Sequence, residues 1–151
     1  MRLLTIDSET YDPLLKTHGT GWVFKYYYPE APYEVIIFGF IDADGKEGVL
    51  DCSNPNDLIR LRELIQEHDS LLFHNALYDM GAALYLLKDT ELFKDKMIYD
   101  TMILCKLDTQ ALMSYSLDAL TKHYKVLNKE GDKLDDYAWQ SGMYQKWVWD
   151  N

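Results

Sequence analysis

Short apolar runs dominate the first third of the chain and predict strands. Residues 2–7 form an apolar run that ends in an acid, which is typical of a buried strand opening onto a loop. Residues 35–41, rich in β-branched and aromatic side chains, predict a second strand. Asp44-Gly45 predicts a hairpin turn, and residues 46–50 predict its returning strand. These three consecutive strands are therefore expected to lie antiparallel.

The apolar spacing then changes to that of helices. Asn54 is a suitable N-cap, Pro55 occupies the first helical position, and leucines at helical spacing continue to about Glu67. Residues 70–74 predict a buried strand, and Asn75 is expected to begin another helix. A helix between two strands implies a crossover connection, so the strands from residue 70 onward are expected to be parallel.

Two shorter elements complete the pattern. Residues 98–99 predict a strand that Asp100 caps into a helix over 101–107, and Ser116 is expected to cap a last helix. Three of the residues in that helix are expected to face inward: Leu117, Leu120 and Tyr124. The order βββαβαβα predicts an α/β fold in which a mixed sheet, three antiparallel strands followed by parallel strands, is flanked by helices.

Two segments do not follow this pattern. Residues 11–33 carry prolines, glycines and three consecutive tyrosines, so they are expected to form an insertion or a long loop. After Lys125 the periodicity is weak, yet residues 137–149 are rich in aromatic side chains that favour burial. Length predicts a single domain over residues 1–151, and the unpartnered aromatic tail suggests that this domain is incomplete at its C-terminus.

Composition narrows the class of protein. A hydrophobic fraction of 48% excludes disorder as the dominant state, and the apolar runs are far shorter than the ~20 residues that span a bilayer. We therefore expect no membrane partner and a cytoplasmic location. Cys52 and Cys105 lack the spacing of a disulfide framework or a zinc site, so both are expected to be reduced, buried thiols. The net charge of −10 repels nucleic acid unless some carboxylates bind a metal ion.

Three acids lie where such a metal site would form. Asp7 and Glu9 are two residues apart, so they share one face if the first strand continues that far. Asp79 lies one helical turn after Asn75, at the carboxyl end of the neighbouring parallel strand, where ligand sites of open α/β sheets occur. Carboxylates converging there would bind Mg²⁺ or Mn²⁺. Each acid also has a simpler interpretation, because acidic pairs are common on surfaces and a first-turn acid such as Asp79 complements the helix dipole.

The motifs that contain these acids resemble those of a nuclease family. Four segments carry the resemblance: TIDSET (5–10), HNALYD (74–79), YDTM (99–102) and SLDAL (116–120). Over roughly residues 3–125 they are similar to DEDD-type 3′–5′ exonucleases of the ribonuclease H-like superfamily, and most similar to the proofreading domain of phage family A DNA polymerases. The resemblance implies a ribonuclease H-like sheet and the hydrolysis of phosphodiester bonds at DNA 3′ ends.

Residue roles follow from this resemblance. In the family, the acid matching Asp7 bridges two metal ions, the acid matching Glu9 holds the ion that activates water, and the acid matching Asp79 serves the ion near the leaving oxygen. Thr10, Asn75 and Tyr78 match positions that hold or border the terminal nucleotide. The implied cofactors are two Mg²⁺ or Mn²⁺ ions, and the implied partners are a single-stranded DNA 3′ end and a DNA polymerase domain or subunit.

The sequence departs from the family in its last segment. The fourth acid of the family arrives in a Tyr-x-x-x-Asp or His-x-x-x-x-Asp motif, and neither pattern occurs after Lys125. Without that acid, the ion that activates water loses a ligand, so we expect turnover by the isolated chain to be weak or absent. Two other functions stay open: a non-catalytic module that binds single strands or assembles with a polymerase, and an exonuclease directed at RNA.

Overall fold

The computed structural model describes residues 1–19, 29–30 and 32–126. Contacts divide the chain into two compact units, Met1–Thr101 and Met102–Asn151. Part of the predicted insertion (20–28 and 31) and the aromatic tail from residue 127 lie outside the described residues. No helix in the described part of the chain is long and apolar enough to cross a membrane.

One mixed sheet organises the first unit. Its strands are β1 (Leu3–Tyr11), β2 (Glu34–Ile41), β3 (Glu47–Asp51), β4 (Ser70–Phe73) and β5 (Met97–Asp100). They are arranged in the order β3-β2-β1-β4-β5, with β1, β2 and β3 antiparallel in succession and with β4 and β5 parallel to β1. The predicted α/β fold, a mixed sheet of three antiparallel strands and then parallel strands flanked by helices, is therefore confirmed, and it is consistent with the predicted ribonuclease H-like sheet.

Five helices accompany the strands in the described residues. They are α1 (Leu15–His18), α2 (Pro55–Glu67), α3 (Ala76–Leu87), α4 (Thr101–Asp108) and α5 (Leu117–His123). Helix α2 has the predicted bounds, because the Asn54 side chain accepts a hydrogen bond from the Asn56 backbone N–H and Pro55 occupies the first turn. Helix α1 is a short turn of helix within the segment that was predicted as an insertion or long loop.

Buried apolar residues alternate with other residues along the strands, so the core lies on one face of the sheet. Leu4 and Ile6 of β1 and Phe38 of β2 are buried together with residues of α2 and α3, including Leu64 and Ala82. Burial of these side chains supplies the main driving force for the fold of this unit. Helices α2 and α3 thus cover one face, and the odd-numbered residues of β1 point to the other.

Three details of the sequence interpretation need correction. The first strand does not end at residue 7 but continues to Tyr11, because its polar second half pairs with β2 from Ser8↔Phe38 to Tyr11↔Glu34. Leu117 and Tyr124 of α5 are exposed rather than inward, whereas Leu120 is buried and Ser116 caps the helix as predicted. Both cysteines are free thiols, but only Cys52 is buried.

Candidate functional site

The site forms where β1 extends beyond its partner β4. The β1–β4 ladder ends at the pair Thr5↔Leu72, whereas β1 continues to Tyr11 along β2 alone. Only His74 and Asn75 connect the end of β4 to helix α3. The first turn of α3 therefore lies beside the part of β1 that β4 leaves unpaired.

The two faces of β1 differ in this part. On the helix side, the apolar positions Leu4 and Ile6 are followed by polar ones, Ser8, Thr10 and then Asp12. On the other side lie Asp7, which is exposed, and Glu9, which is partly buried. Asp7 and Glu9 therefore share one face of the strand, at a spacing of two residues.

Asp79 reaches the edge of β1 from α3. Its side chain is only 2% exposed, and Oδ1 accepts hydrogen bonds from the Ser8 backbone N–H at 2.9 Å and the Ser8 hydroxyl at 2.5 Å. Ser8 lies between Asp7 and Glu9, so the three acids surround one short stretch of strand. At this edge, the Asp79 carboxylate accepts the hydrogen bond from the Ser8 N–H that a neighbouring strand would otherwise accept.

The electrostatics of Asp79 follow from this position. Burial, together with the neighbouring charges of Asp7 and Glu9, raises the pKa of Asp79 to about 7, although the hydrogen bonds from Ser8 oppose the increase. A buried carboxylate beside two others is stabilised either by a proton or by a cation. The set of oxygen donors is chemically suited to a hard divalent ion such as Mg²⁺ or Mn²⁺.

The three acids do not form a ready ligand cluster. Among the described residues, no group of three or more His, Cys, Asp or Glu side chains lies close enough to hold one metal ion. The physical reason is the pleat of β1, because Asp7 and Glu9 leave the strand on one face while Asp79 approaches Ser8 from the helix side. The three acids of the predicted crevice therefore lie near one another, but their carboxylates do not meet at one position.

Thr10 and Tyr78 are in direct contact, next to Asp79. The Tyr78 hydroxyl donates to Asp12 Oδ2 at 3.3 Å and is also hydrogen-bonded to the Thr10 hydroxyl. Burial raises the pKa of Tyr78 well above its usual value, so the phenol stays a neutral donor. Since its proton goes to Asp12, the Thr10 hydroxyl must donate to the Tyr78 oxygen. These bonds fasten the first turn of α3 to the end of β1.

Asp12 was missed by sequence reasoning although its side chain is only 5% exposed. The signal was present in the alternation of β1, because Ser8, Thr10 and Asp12 continue the face that begins with Leu4 and Ile6. It was not recognised because the strand was expected to end at residue 7.

We expect Tyr78→Phe to lower the free energy of unfolding by about 1–2 kcal/mol, because it removes the hydroxyl shared by the buried Asp12 carboxylate and the partly buried Thr10 hydroxyl. Urea denaturation measures the loss. Tyr99→Phe is the matched control, since the Tyr99 hydroxyl makes a weak, exposed contact with the Met1 sulfur at 4.0 Å. Equal stability of the two variants would contradict a structural role for this network.

Asn75 lies at the start of α3 in an unexpected conformation. Its φ of 72° is left-handed, which asparagine tolerates better than most residues, and its side chain makes no capping hydrogen bond. The start of the helix is capped by Asp100 instead, whose two carboxylate oxygens accept from the backbone N–H groups of Asn75 (3.0 Å) and Ala76 (2.8 Å). Sequence reasoning assigned Asp100 to the helix that follows it, and missed this bond to α3.

His74 has a defined tautomer at the end of β4. The Thr101 hydroxyl donates its proton to the Phe73 carbonyl at 3.1 Å, so it must accept from His74 Nδ1 at 2.8 Å. The neutral ring then carries its proton on Nδ1 and keeps a lone pair on Nε2. A histidine held in this tautomer adds an acceptor to the carboxyl end of the sheet.

Comparisons with known proteins concern the fold. No protein-family model matches the chain, and no curated protein matches it. Among solved structures, the chain is similar to the family B DNA polymerase from the hyperthermophilic archaeon Pyrobaculum calidifontis, with a TM-score of 0.55 and 14% sequence identity. The likeness shows the fold alone.

This likeness is to part of the polymerase chain. It covers 85% of this chain but only 19% of the polymerase chain. The fold is therefore shared with part of a DNA polymerase. The matched polymerase is of family B, whereas the sequence motifs predict family A. The assignment to a phage family A enzyme, the roles of the six site residues and the use of metal ions stay predictions.

Proposed function

We propose that this chain is a metal-dependent 3′–5′ exonuclease domain that removes nucleoside monophosphates from DNA 3′ ends in association with a phage-type DNA polymerase. Two kinds of observation support the proposal. The fold is similar to part of a DNA polymerase. The motifs that resemble the nuclease family fall on β1, at the start of α3, at the junction of β5 and α4, and at the start of α5. A separate basic surface, such as a polymerase domain offers, would hold the bulk of the DNA that this acidic chain repels.

One observation carries the proposal: the Asp79 carboxylate is buried against Ser8, between Asp7 and Glu9. A buried acid flanked by two further acids is costly for stability, and such arrangements are retained where a ligand needs them. A structural role alone would be served as well by a neutral asparagine, which accepts the same hydrogen bonds from Ser8.

Asp7, Glu9 and Asp79 would hold the metal ions of this proposal. Ions held there would supply an activated water and charge stabilisation for an in-line displacement at phosphorus. Water attacks the terminal phosphorus, the bond to the 3′ oxygen of the preceding nucleotide breaks, and that oxygen takes up a proton. Asp79 would hold the ions together with Asp7 and Glu9, and Thr10, Asn75 and Tyr78 would border the terminal nucleotide.

Turnover by the chain alone is expected to be slow. The sequence after Lys125 contains no acid in the Tyr-x-x-x-Asp or His-x-x-x-x-Asp pattern of the family, so one ligand and the group that orients water are not supplied. The Asp7, Glu9 and Asp79 site would bind metal more weakly without them.

The test is the incubation of the purified chain with labelled single-stranded DNA and Mn²⁺. We expect slow shortening from the 3′ end that Asp7→Ala reduces to the level of DNA alone, because Asp7 would contribute to both ions. Glu63→Gln is the matched control, since Glu63 is an exposed acid of α2 whose ion pair with Arg60 contributes little. Shortening that persists in Asp7→Ala would contradict the proposal.

A second function has one observation in its favour. No group of three metal-binding side chains lies close together in the described residues, as expected of an exonuclease-like module that has lost catalysis and only binds single strands or a polymerase. In the same experiment, DNA that is bound but not shortened at any Mn²⁺ concentration supports this module and not the enzyme.

A further inference from the structure

A cavity of about 500 Å³ opens on one face of strands β1, β2 and β3. Its side chains belong to two rows of residues paired across the strands: Thr5, Ile41 and Glu47 in one, and Asp7, Gly39 and Val49 in the other. These positions alternate with the core positions Ile6 and Phe38, so the cavity lies on the face of the sheet opposite α2 and α3. We call it the Gly39 cavity.

The floor of the Gly39 cavity is apolar and open. A Cβ atom placed on Gly39 would meet nothing within 4 Å, so this residue leaves empty space in the middle strand. Ile41 on the same strand and Val49 beside Gly39 are 47% and 65% exposed. Glycine inside a strand often marks a place where a ligand approaches closely. Exposed apolar side chains around this space favour a ligand with an aliphatic part.

Acidic side chains border this floor on both sides. Asp7 belongs to β1 and Glu47 to β3, and β2 lies between them. The arrangement continues beyond the cavity, where Glu9 of β1 and Asp51 of β3 both pair with Ile37 of β2. The residues that line the cavity, all described, include no lysine or arginine. The charge of the lining therefore repels anions and attracts cations.

The positions of Asp7 and Glu47 determine how far apart the positive charges of a ligand should lie. The two residues are separated by two strand spacings and by two residues along the strand, which places their Cα atoms about 12 Å apart. Ionised carboxylates only accept hydrogen bonds, so the groups that meet them must donate. A linear polyamine meets both requirements, because it carries an ammonium group at each end of an extended aliphatic chain.

We propose that the Gly39 cavity binds linear polyamines, with one terminal ammonium group at Asp7 and the other at Glu47. The methylene chain between them lies over Gly39 and contacts Ile41 and Val49, as the stems of lysine side chains lie along apolar surfaces. The cavity volume falls within the range of small-ligand pockets. The inference goes beyond the proposed function and does not depend on it, because it uses only the charge and shape of this face.

The test uses spermidine, a linear triamine, as the probe on the full ¹⁵N-labelled chain. Divalent ions are left out because Asp7 also belongs to the candidate metal site. We expect spermidine to shift the amide NMR signals of Gly39, Ile41 and Val49. Glu47→Gln should weaken its affinity roughly threefold, which corresponds to the loss of one exposed ion pair. Diaminopropane, whose ammonium groups lie much closer together, should bind more weakly than spermidine.

Two further variants separate shape from charge. Gly39→Val should weaken the affinity for spermidine roughly fivefold or more without changing the net charge, because the new side chain fills the floor of the cavity. Its melting temperature should not fall, since valine favours strands and its Cβ meets no neighbour. Glu63→Gln is the matched control for Glu47→Gln, because it removes one charge from an exposed acid of α2, outside the cavity. It should bind spermidine as the wild type does.

Three results would overturn the inference: unmoved Gly39 and Val49 signals in the wild type, equal weakening in Glu47→Gln and Glu63→Gln, or undiminished affinity in folded Gly39→Val. The second result would show that spermidine responds only to the net charge of the chain. None of the three bears on Mn²⁺-dependent shortening of DNA, which tests the proposed function separately.

Discussion

Asp79→Asn is expected to raise the free energy of unfolding by about 2 kcal/mol at pH 8, although it alters a buried residue of the candidate site. Asparagine keeps an acceptor for both hydrogen bonds from Ser8 and removes a charge that is costly to bury beside Asp7 and Glu9. The gain should depend on pH. The pKa of Asp79 is raised in the folded chain from 3.8 to about 7, so the folded state binds the proton more tightly than the unfolded state.

The wild type should become less stable as the pH rises toward the pKa of Asp79. Between about pH 4 and pH 7 the unfolded chain has lost this proton and the folded chain retains it, so the wild type loses stability as the pH rises through that range. The difference between Asp79→Asn and the wild type should therefore grow from pH 4 to pH 7 and then level off. Urea denaturation of both proteins at several pH values measures it.

Asp79→Ala is the matched variant for this prediction. It removes the same charge but leaves the Ser8 hydroxyl and backbone N–H without their acceptor, so it should be less stable than Asp79→Asn at every pH. Mn²⁺ adds a further comparison, because an ion bound by the folded wild type stabilises it and should not stabilise Asp79→Asn to the same extent. An asparagine variant that is less stable than the wild type at pH 8 would show that the acid is structural.

Asp100→Ala should have the largest destabilising effect among the site variants, about 2–4 kcal/mol. The carboxylate is nearly buried and accepts from two consecutive backbone N–H groups at the start of α3. Its removal leaves those groups unsatisfied and releases Asn75 from a left-handed conformation that the contact helps to maintain.

Urea denaturation of Asp100→Ala and Asp118→Ala separates this effect from a general loss of acidic charge. Asp118 lies in the first turn of α5, where it is exposed and pairs with Lys122, so its removal should cost less than about 0.5 kcal/mol. Asp100→Asn should fall between the wild type and Asp100→Ala because it retains one acceptor. If Asp100→Ala were as stable as Asp118→Ala, the capping role of Asp100 would be wrong.

Local signals in the sequence were sufficient for most of the fold. Asn54 and Pro55 define the start of α2, and Asp44-Gly45 defines the β2–β3 turn. The change from strand to helix periodicity indicates the mixed sheet. These features depend on neighbouring residues, so their physical causes are visible in a short window of sequence.

The site could be predicted only in outline. The spacing of Asp7 and Glu9 specifies one face of a strand, but the contact of Asp79 with Ser8 depends on where β4 ends relative to β1. The capping of α3 by Asp100 likewise depends on the register of β5 beside β4. Register is set by the whole sheet and not by the residues that meet, so no local pattern indicates it.

The two-residue connection between β4 and α3 restricts how this chain can diverge. Each residue of a helix is rotated by about 100° from the one before, so a single insertion next to His74 would swing the Asp79 side chain away from Ser8. Substitutions in this connection can be absorbed by local adjustment, whereas a change in its length cannot. Related sequences should therefore vary in length at the β2–β3 turn, where Gly45 lies exposed, far more readily than at this junction.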